Sequence, residues 1–264
     1  MKHEILSRLP ASYAWRGNIH HFESIDSTNT EAKRMAAQGA PHGTVLIADM
    51  QTGGRGRMGR SFHSPAGSGI YLSMILRPEC PAQKLLHLTC ATAVAAAEGI
   101  QKATGMHPGI KWTNDLVYER KKLGGILTEL SLDHTGNVAY AVIGIGINCN
   151  QSADDFPLDI AGLATSLHIC TGQTIDRSVV IAQILISLQK MWEQLDDVKS
   201  ILEAYRQSCV TIDQEVSVVR ADEIRHGKAL DVDENGALLV QFDDGNIQAV
   251  NSGEVSIRGM YGYV

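Results

Sequence analysis

Apolar and polar positions divide this chain into strand-like and helix-like stretches whose order already sketches a fold. Ile19-His20-His21-Phe22-Glu23-Ser24 has the texture of a short strand. Asp26-Ser27-Thr28-Asn29-Thr30-Glu31 then offers a helix start, with Thr28 and Glu31 at capping-box spacing. That helix is predicted to run to about Gln38, with Gly39 as its stop and Pro41 beyond. The runs Thr44–Ala48 and Gly69–Leu76 are apolar and β-branched, as buried strands are. From Pro81 to Thr104 the sequence is rich in Ala and Leu without internal proline, which predicts one long buried helix.

Gly109 to Tyr118 reads as a strand that is apolar on either side of a polar cluster. Lys122–Leu130 and Ala139–Asn148 read as a hairpin joined at Asp133-His134-Thr135-Gly136-Asn137. Helical periodicity returns in Ser178–Leu195, with Asp176 as its cap, and in Val198–Ser208. After Asp213 the texture changes to short strands, Glu215–Arg220, Gly227–Val232, Ala237–Phe242 and Asn246–Val250, separated by Asn235-Gly236 and Asp244-Gly245. Those dipeptides favour tight hairpins, so the tail is predicted to be a small β-barrel of about 50 residues.

Composition narrows the class. With 264 residues, 44% of them hydrophobic, the chain can bury a substantial core. No apolar run approaches the roughly 20 residues of a membrane span, and the N-terminus leads into no signal-peptide pattern, so a cytoplasmic location is expected. The five cysteines are widely spaced without a C-x-x-C pair, which points to reduced, structural thiols. Neither an H-x-x-x-H motif nor a Cys/His cluster offers a metal site. A formal net charge of -6 and the lack of interleaved aromatics argue against a nucleic-acid footprint.

Against that acidic background, Gly53-Gly54-Arg55-Gly56-Arg57-Met58-Gly59-Arg60 stands out. Glycines let a loop turn its backbone N–H groups toward a ligand, and guanidinium forks match phosphate or carboxylate oxygens. The loop therefore reads as an anion cradle between two strands. Ordering it costs roughly 1–2 kcal/mol of backbone entropy per residue, so it is expected to order over its ligand as a lid. Lys111, Asn114 and Asp115, within five residues, converge on nucleotide phosphate: a cation, an amide, and a carboxylate able to hold Mg²⁺. The same cluster would also suit an ordinary strand-end turn. Gly124-Gly125 after Lys122, and Gly144-x-Gly146-x-Asn148, mark strands that a ligand or another backbone approaches closely, as two floors of one pocket. Ser27 and Thr28 serve either as caps alone or as ligand groups at a helix N-terminus.

Taken together, Ser27-Thr28-Asn29, Gly54-Arg55-Gly56-Arg57-x-Gly59-Arg60, Lys111-Trp112-x-Asn114-Asp115, Lys122-Leu-x-Gly125-Ile126-Leu127 and Gly144-x-Gly146-x-Asn148 resemble the biotin protein ligases in order and spacing over about residues 19 to 150. The resemblance implies an α+β fold, with a mixed sheet packed with helices (a class II synthetase-like catalytic domain, 1–212) and a small SH3-like β-barrel (213–264). It implies that biotin and MgATP give biotinyl-5′-adenylate, which a lysine of a biotin carboxyl carrier domain, as in acetyl-CoA carboxylase, then attacks. By the same resemblance Ser27, Thr28, Asn29, Gln51, Gly54, Arg55, Gly56, Arg57, Tyr71, Lys122 and Gly125 would surround biotin. Arg60, Phe62, Lys111, Asn114, Asp115 and Asn148 would serve ATP, with Asp115 near Mg²⁺, and Lys122, Lys111 and Arg57 would carry the chemistry.

Phe62 stands where tryptophan is common in that family, and Thr113 where proline is usual. Few residues precede the first strand, so the expectation is a ligase without the winged-helix DNA-binding domain that some members carry. The resemblance also admits a homodimer. A lipoate or octanoate ligase or transferase on the related fold is the nearest alternative, and a non-enzymatic nucleotide- or RNA-binding module the next.

Overall fold

The computed structural model describes residues 1–220, 223–252 and 256–259, so the last residues of the expected C-terminal unit, 260–264, lie outside the described residues. In chain order the elements are α1 (Lys2–Arg8), β1 (Ile19–Phe22), α2 (Thr28–Ala37), β2 (Thr44–Ala48), β3 (Gly69–Leu76), α3 (Leu88–Thr104), β4 (Gly109–Lys111), β5 (Asp115–Tyr118), β6 (Lys121–Leu132) and β7 (Val138–Asn148). There follow α4 (Leu167–Thr171), α5 (Arg177–Glu193), α6 (Val198–Ser208), β8 (Glu215–Arg220), β9 (Glu223–Val232), β10 (Leu238–Phe242), β11 (Ile247–Val250) and β12 (Ser256–Gly259).

A seven-stranded sheet has the order β1-β2-β3-β7-β6-β5-β4. Only β1 and β2 run parallel; every other neighbouring pair is antiparallel, which makes the sheet mixed. Strands covered on both faces read as continuous apolar runs rather than alternating ones, and β2 and β3 are buried at every position. Val45, Ile47, Leu72, Met74 and Ile143 face the core built with α1, α3 and α5, whereas Leu46, Ile75 and Val142 pack under Ala32 and Ala36 of α2. The small side chains of α2 bring its first turn close to the sheet.

Several expectations shift. Ser27, not Thr28, caps α2: its backbone is extended and its side chain accepts from the Thr30 amide. Thr28 is the first helical residue, and its hydroxyl is within reach of Gln51 and Ser73 instead. The helix expected from Pro81 begins at Leu88, after a short turn at Ala82–Leu85 and a break where the His87 ring bonds the Leu195 carbonyl (2.9 Å). Residues 109–118 form a hairpin rather than one strand, which puts the polar cluster at its turn. The hairpin of β6 and β7 forms as expected, its turn organised by the Asp133 carboxylate, which accepts from the amides of Thr135 and Asn137. Helices α1 and α4 were not anticipated.

Strands β8 to β12 form a five-stranded antiparallel sheet in the order β11-β10-β9-β8-β12, one strand more than the four expected. It is tied to the hairpin of β4 and β5 by the Trp112 indole N–H, which donates to the Gly236 carbonyl (2.9 Å), and to α6 by Arg206, which bonds Asp231 (3.0 Å) and the Val232 carbonyl (2.6 Å). All five cysteines are free thiols. Among the described residues no helix is long and apolar enough to cross a membrane.

Candidate functional site

A cavity of about 610 Å³ opens between the first turn of α2, the connection from β2 to β3, the 112–114 turn and the glycine-bearing parts of β6 and β7. That volume suits a small-molecule site. Its walls are made by residues distant in sequence that the sheet order brings side by side.

At one end the chain entering α2 presents Ser27, Thr28 and Asn29, all buried. Gln51 Oε1 accepts from the Thr28 amide (2.9 Å) and lies 3.1 Å from its hydroxyl, while Gln51 Nε2 donates to Ser64 (3.0 Å). Ser73 Oγ, from β3, lies 2.8 Å from the Thr28 hydroxyl and 2.6 Å from Asn29 Oδ1. The other side of the Asn29 amide donates to Glu129 (3.0 Å) and to the Leu127 carbonyl (3.2 Å). The side-chain amides of Asn29 and Gln51 are each held in one orientation by their neighbours.

The charged end is built by strand register. Lys111, on β4, pairs with Asp115, on β5, which in turn pairs with Gly125, on β6. Lys122 Nζ donates to Asp115 Oδ1 at 2.6 Å, with the two side chains 31% and 16% exposed. A Cβ at Gly125 would lie 3.1 Å from that carboxylate oxygen and 3.5 Å from Lys122 Nζ, so glycine leaves the pair its space. Arg57 crosses from the loop to donate to Asn114 Oδ1 (2.8 Å) and to the Ser252 carbonyl. Burial pushes the Arg57 guanidinium below its ordinary pKa; Asp115 opposes that shift and Arg60 adds to it. Asn114 is itself fixed by donating to the Ile126 carbonyl (2.9 Å).

Between the two ends, Gly146 pairs with Tyr71 on one side and Gly125 on the other, and the Phe62 ring lies over it, 2.8 Å from where a Cβ would stand. Phe62 and Tyr71 meet edge to face with centroids 6.4 Å apart. The Tyr71 hydroxyl donates to the Pro65 carbonyl (2.9 Å), and burial raises its pKa, so it stays a donor. The loop is folded on itself, with the Gly56 amide donating to the Arg60 carbonyl (2.7 Å) and left-handed backbone at Met58 and Gly59.

Of the residues singled out in the sequence, Ser27, Thr28, Asn29, Gln51, Arg55, Gly56, Arg57, Arg60, Phe62, Tyr71, Lys111, Asn114, Asp115, Lys122 and Gly125 line this cavity. Gly54 and Asn148 are not on its wall. A Cβ at Gly54 would meet the Phe62 carbonyl at 2.4 Å, so glycine lets the two arms of the loop close. Asn148 donates to the Thr165 carbonyl (3.0 Å), bracing the 163–165 segment whose backbone bonds both the amide and the carbonyl of Lys122. Sequence reasoning missed Ser73, Glu129 and Ile257. Ser73 had a signal, as a lone polar residue in an apolar strand; Glu129 had none nearby.

Asp115 is the acidic residue of the wall. A Mg²⁺ arriving on nucleotide phosphates asks one or two carboxylates of a protein, and Asp115, paired here with Lys122, supplies one.

Residues 21–148 match the biotin/lipoate A/B protein ligase family, and residues 211–258 match the biotin protein ligase C-terminal domain. The bifunctional ligase/repressor BirA of Bacillus spizizenii is 40% identical over 238 residues, covering 88% of this chain and 72% of the relative. This chain belongs to the biotin protein ligase family. The biotin–[acetyl-CoA-carboxylase] ligase of Mycobacterium tuberculosis is 32% identical over 252 residues, 93% of this chain and 90% of that protein. Among solved structures, the biotin protein ligase from Aquifex aeolicus in complex with biotin and ATP superposes with a TM-score of 0.79 at 30% identity, covering 92% of this chain and 99% of that one. The two family matches correspond to the seven-stranded sheet and to the five-stranded sheet, so this biotin protein ligase fold is matched on both sides of helices α4 to α6.

Proposed function

We propose that the chain uses ATP to activate biotin as biotinyl-5′-AMP, with release of pyrophosphate, and transfers the biotinyl group to a lysine of a biotin carboxyl carrier protein. The observation that carries this reading is a single cavity with a fixed hydrogen-bonding end at Ser27–Asn29 and five cations, Arg55, Arg57, Arg60, Lys111 and Lys122, beside the Asp115 carboxylate. A cyclic urea needs the former, and the meeting of two anions needs the latter.

In the first step a biotin carboxylate oxygen attacks the α-phosphorus of ATP; the new P–O bond forms as the bond to pyrophosphate breaks. Repulsion between the reactants is offset by cations already held in place, where each well-aimed donor is worth about 10²–10³ in rate. Lys122 is assigned to the biotin carboxylate, Lys111 to phosphate, and Arg57 to the junction. In the second step the neutral amine of the carrier lysine attacks the acyl carbon, AMP departs with the electron pair, and the amine sheds its proton to water. No nucleophile of the chain is required.

Arg60, Phe62, Asn114 and Asp115 are assigned to ATP, with Asp115 holding Mg²⁺, which when bound neutralises phosphate charge; Phe62 offers a flat ring to adenine. Asn148, off the cavity wall, acts at one remove, by bracing the segment that fixes Lys122. Residues 1–212 form the catalytic unit and 213–264 the C-terminal one, the carrier domain is that of acetyl-CoA carboxylase or a similar biotin enzyme, and the setting is cytoplasmic. The match over residues 211–258 favours biotin over lipoate or octanoate. Calorimetric titration with biotin, followed by a biotin-dependent assay of pyrophosphate release from MgATP, tests the reading; binding of lipoate in preference to biotin would refute it.

A further inference from the structure

Glu129 lies outside the wall of the cavity, yet it joins three parts of the molecule. Oε2 accepts from Asn29 Nδ2 (3.0 Å), and Oε1 accepts from Lys33 (2.7 Å) and from Arg55 of the loop (3.4 Å). Asn29 and Lys33 are one helical turn apart on α2 and so share the face that looks at β6. Glu129 is a hundred residues from Asn29 in sequence and its side chain is 21% exposed. We propose that Glu129 is a positioning residue that fixes the hydrogen-bond polarity of the end of the pocket assigned to the biotin ring, turning Asn29 and Thr28 into acceptors for its two ureido N–H groups. The inference rests on the reading of this pocket as a biotin site.

The polarity follows from counting protons. An ionised carboxylate and a backbone carbonyl can only accept, so the Asn29 amide nitrogen must face Glu129 and Leu127, and Oδ1 must face Ser73. Burial would raise the Glu129 pKa, but the bonds from Lys33 and Asn29 and the charges of Lys33 and Arg55 outweigh it and hold the group ionised. Ser73 has one proton, and Asn29 Oδ1, 2.6 Å away, cannot donate and takes it. The Thr28 proton then goes to Ser73 Oγ (2.8 Å) or to Gln51 Oε1 (3.1 Å), both acceptors toward it. Either way Thr28 Oγ1 and Asn29 Oδ1 keep lone pairs for the cavity they line. With Asn29 reversed, a donor would face the ureido N–H groups.

The test compares biotin with a cyclic-carbamate analogue, in which one ureido N–H is replaced by oxygen, by calorimetric titration against the full-length parent, Glu129→Gln, Lys33→Met and the double exchange Asn29→Asp/Glu129→Gln. In the parent the analogue, an acceptor facing acceptors, is expected to bind at least about 10-fold more weakly than biotin. In Glu129→Gln the donors Lys33 and Arg55 hold the new amide's oxygen, so its NH₂ faces Asn29 and only the Leu127 carbonyl opposes reversal of the Asn29 amide; biotin affinity is expected to fall about 10-fold and the preference over the analogue to shrink below about threefold. Lys33→Met removes the ion pair but keeps the carboxylate, so biotin affinity and preference stay within about twofold of the parent. The double exchange restores the polarity by swapping amide and carboxylate between the two positions. The amide now at position 129 donates to the carboxylate now at position 29, whose other oxygen still accepts from Ser73 and the ring; the Leu127 carbonyl loses its donor, so biotin affinity stays below the parent's while the preference over the analogue should return.

An unchanged preference in Glu129→Gln would overturn the inference, as would failure of the double exchange to regain it. Should Glu129→Gln not accumulate as folded protein, the double exchange decides alone, by keeping or losing the parent's preference. A parent that binds no biotin refutes the functional reading instead, whereas a parent that binds biotin with a preference Glu129→Gln leaves intact refutes only the role of Glu129.

Discussion

Gly144 on β7 lies directly beneath Asn29. A Cβ there would stand 2.0 Å from Asn29 Oδ1, 2.7 Å from Cγ and 3.0 Å from Nδ2. Asn29 is 4% exposed, at the N-terminal end of α2, so Gly144→Ala must push the amide out of the grip of Ser73 and Glu129. Overpacking of this kind costs about 1–3 kcal/mol, and loss of a hydrogen bond to a charged group about 1.5–3 kcal/mol. Part of that loss lowers stability and part falls on the ligand site. We expect biotin affinity to drop by about 30-fold or more, which corresponds to about 2 kcal/mol. The assay is calorimetric titration with biotin on protein whose urea transition shows that it is folded. Gly162→Ala, where a Cβ would meet nothing within 4 Å, is the control and should bind as the parent does. A folded Gly144→Ala protein that binds biotin within about threefold of the parent would refute the idea that Asn29 contacts the ring from a fixed position.

Three further outcomes are expected. Lys122→Ala should lower biotin-dependent pyrophosphate release by about 10²–10³ while costing only about 1–3 kcal/mol of stability through loss of the 2.6 Å bond to Asp115; equal loss of folded protein and activity would show a structural role. Arg57→Gly breaks the ties of the loop to Asn114 and Ser252, so free adenylate should escape and label lysines indiscriminately in a bystander protein; release no greater than the parent's would contradict a lid role. The folded-state pKa of Glu129 lies below its ordinary 4.5, so its contribution to stability is complete above that pH and is lost as pH falls through the lower folded-state value. Urea midpoints of the parent and Glu129→Gln should therefore differ most above pH 4.5 and converge in acid, and a constant gap would assign the effect to packing.

Legibility in the sequence followed the range of the interactions. The β6–β7 hairpin was readable because Asp133, Thr135, Gly136 and Asn137 encode their own turn. The start of α3 was not, because Ala- and Leu-rich sequence from Pro81 onward carries helical propensity and the break near His87 depends on the far end of α5. Ser27 and Thr28 offered equivalent caps, and tertiary partners, Gln51 and Ser73, drew Thr28 to a different task. The hairpin of β4 and β5 looked like one strand because both arms are apolar and the turn is polar for reasons of the site. Local motifs flagged most of the cavity wall, since glycine and charge in apolar strands are locally anomalous. Glu129 escaped because a glutamate on a half-exposed strand is ordinary until helix α2 and the arginine loop are seen to meet on it.

The most direct measurement is intact and peptide mass spectrometry of a biotin carboxyl carrier domain incubated with this chain, biotin and MgATP. One biotinyl group on a single carrier lysine, formed only when ATP is present and accompanied by AMP and pyrophosphate, is the expected result. Folded chain that binds biotin and ATP but leaves the carrier unmodified would contradict the assignment of this cavity to activation and transfer.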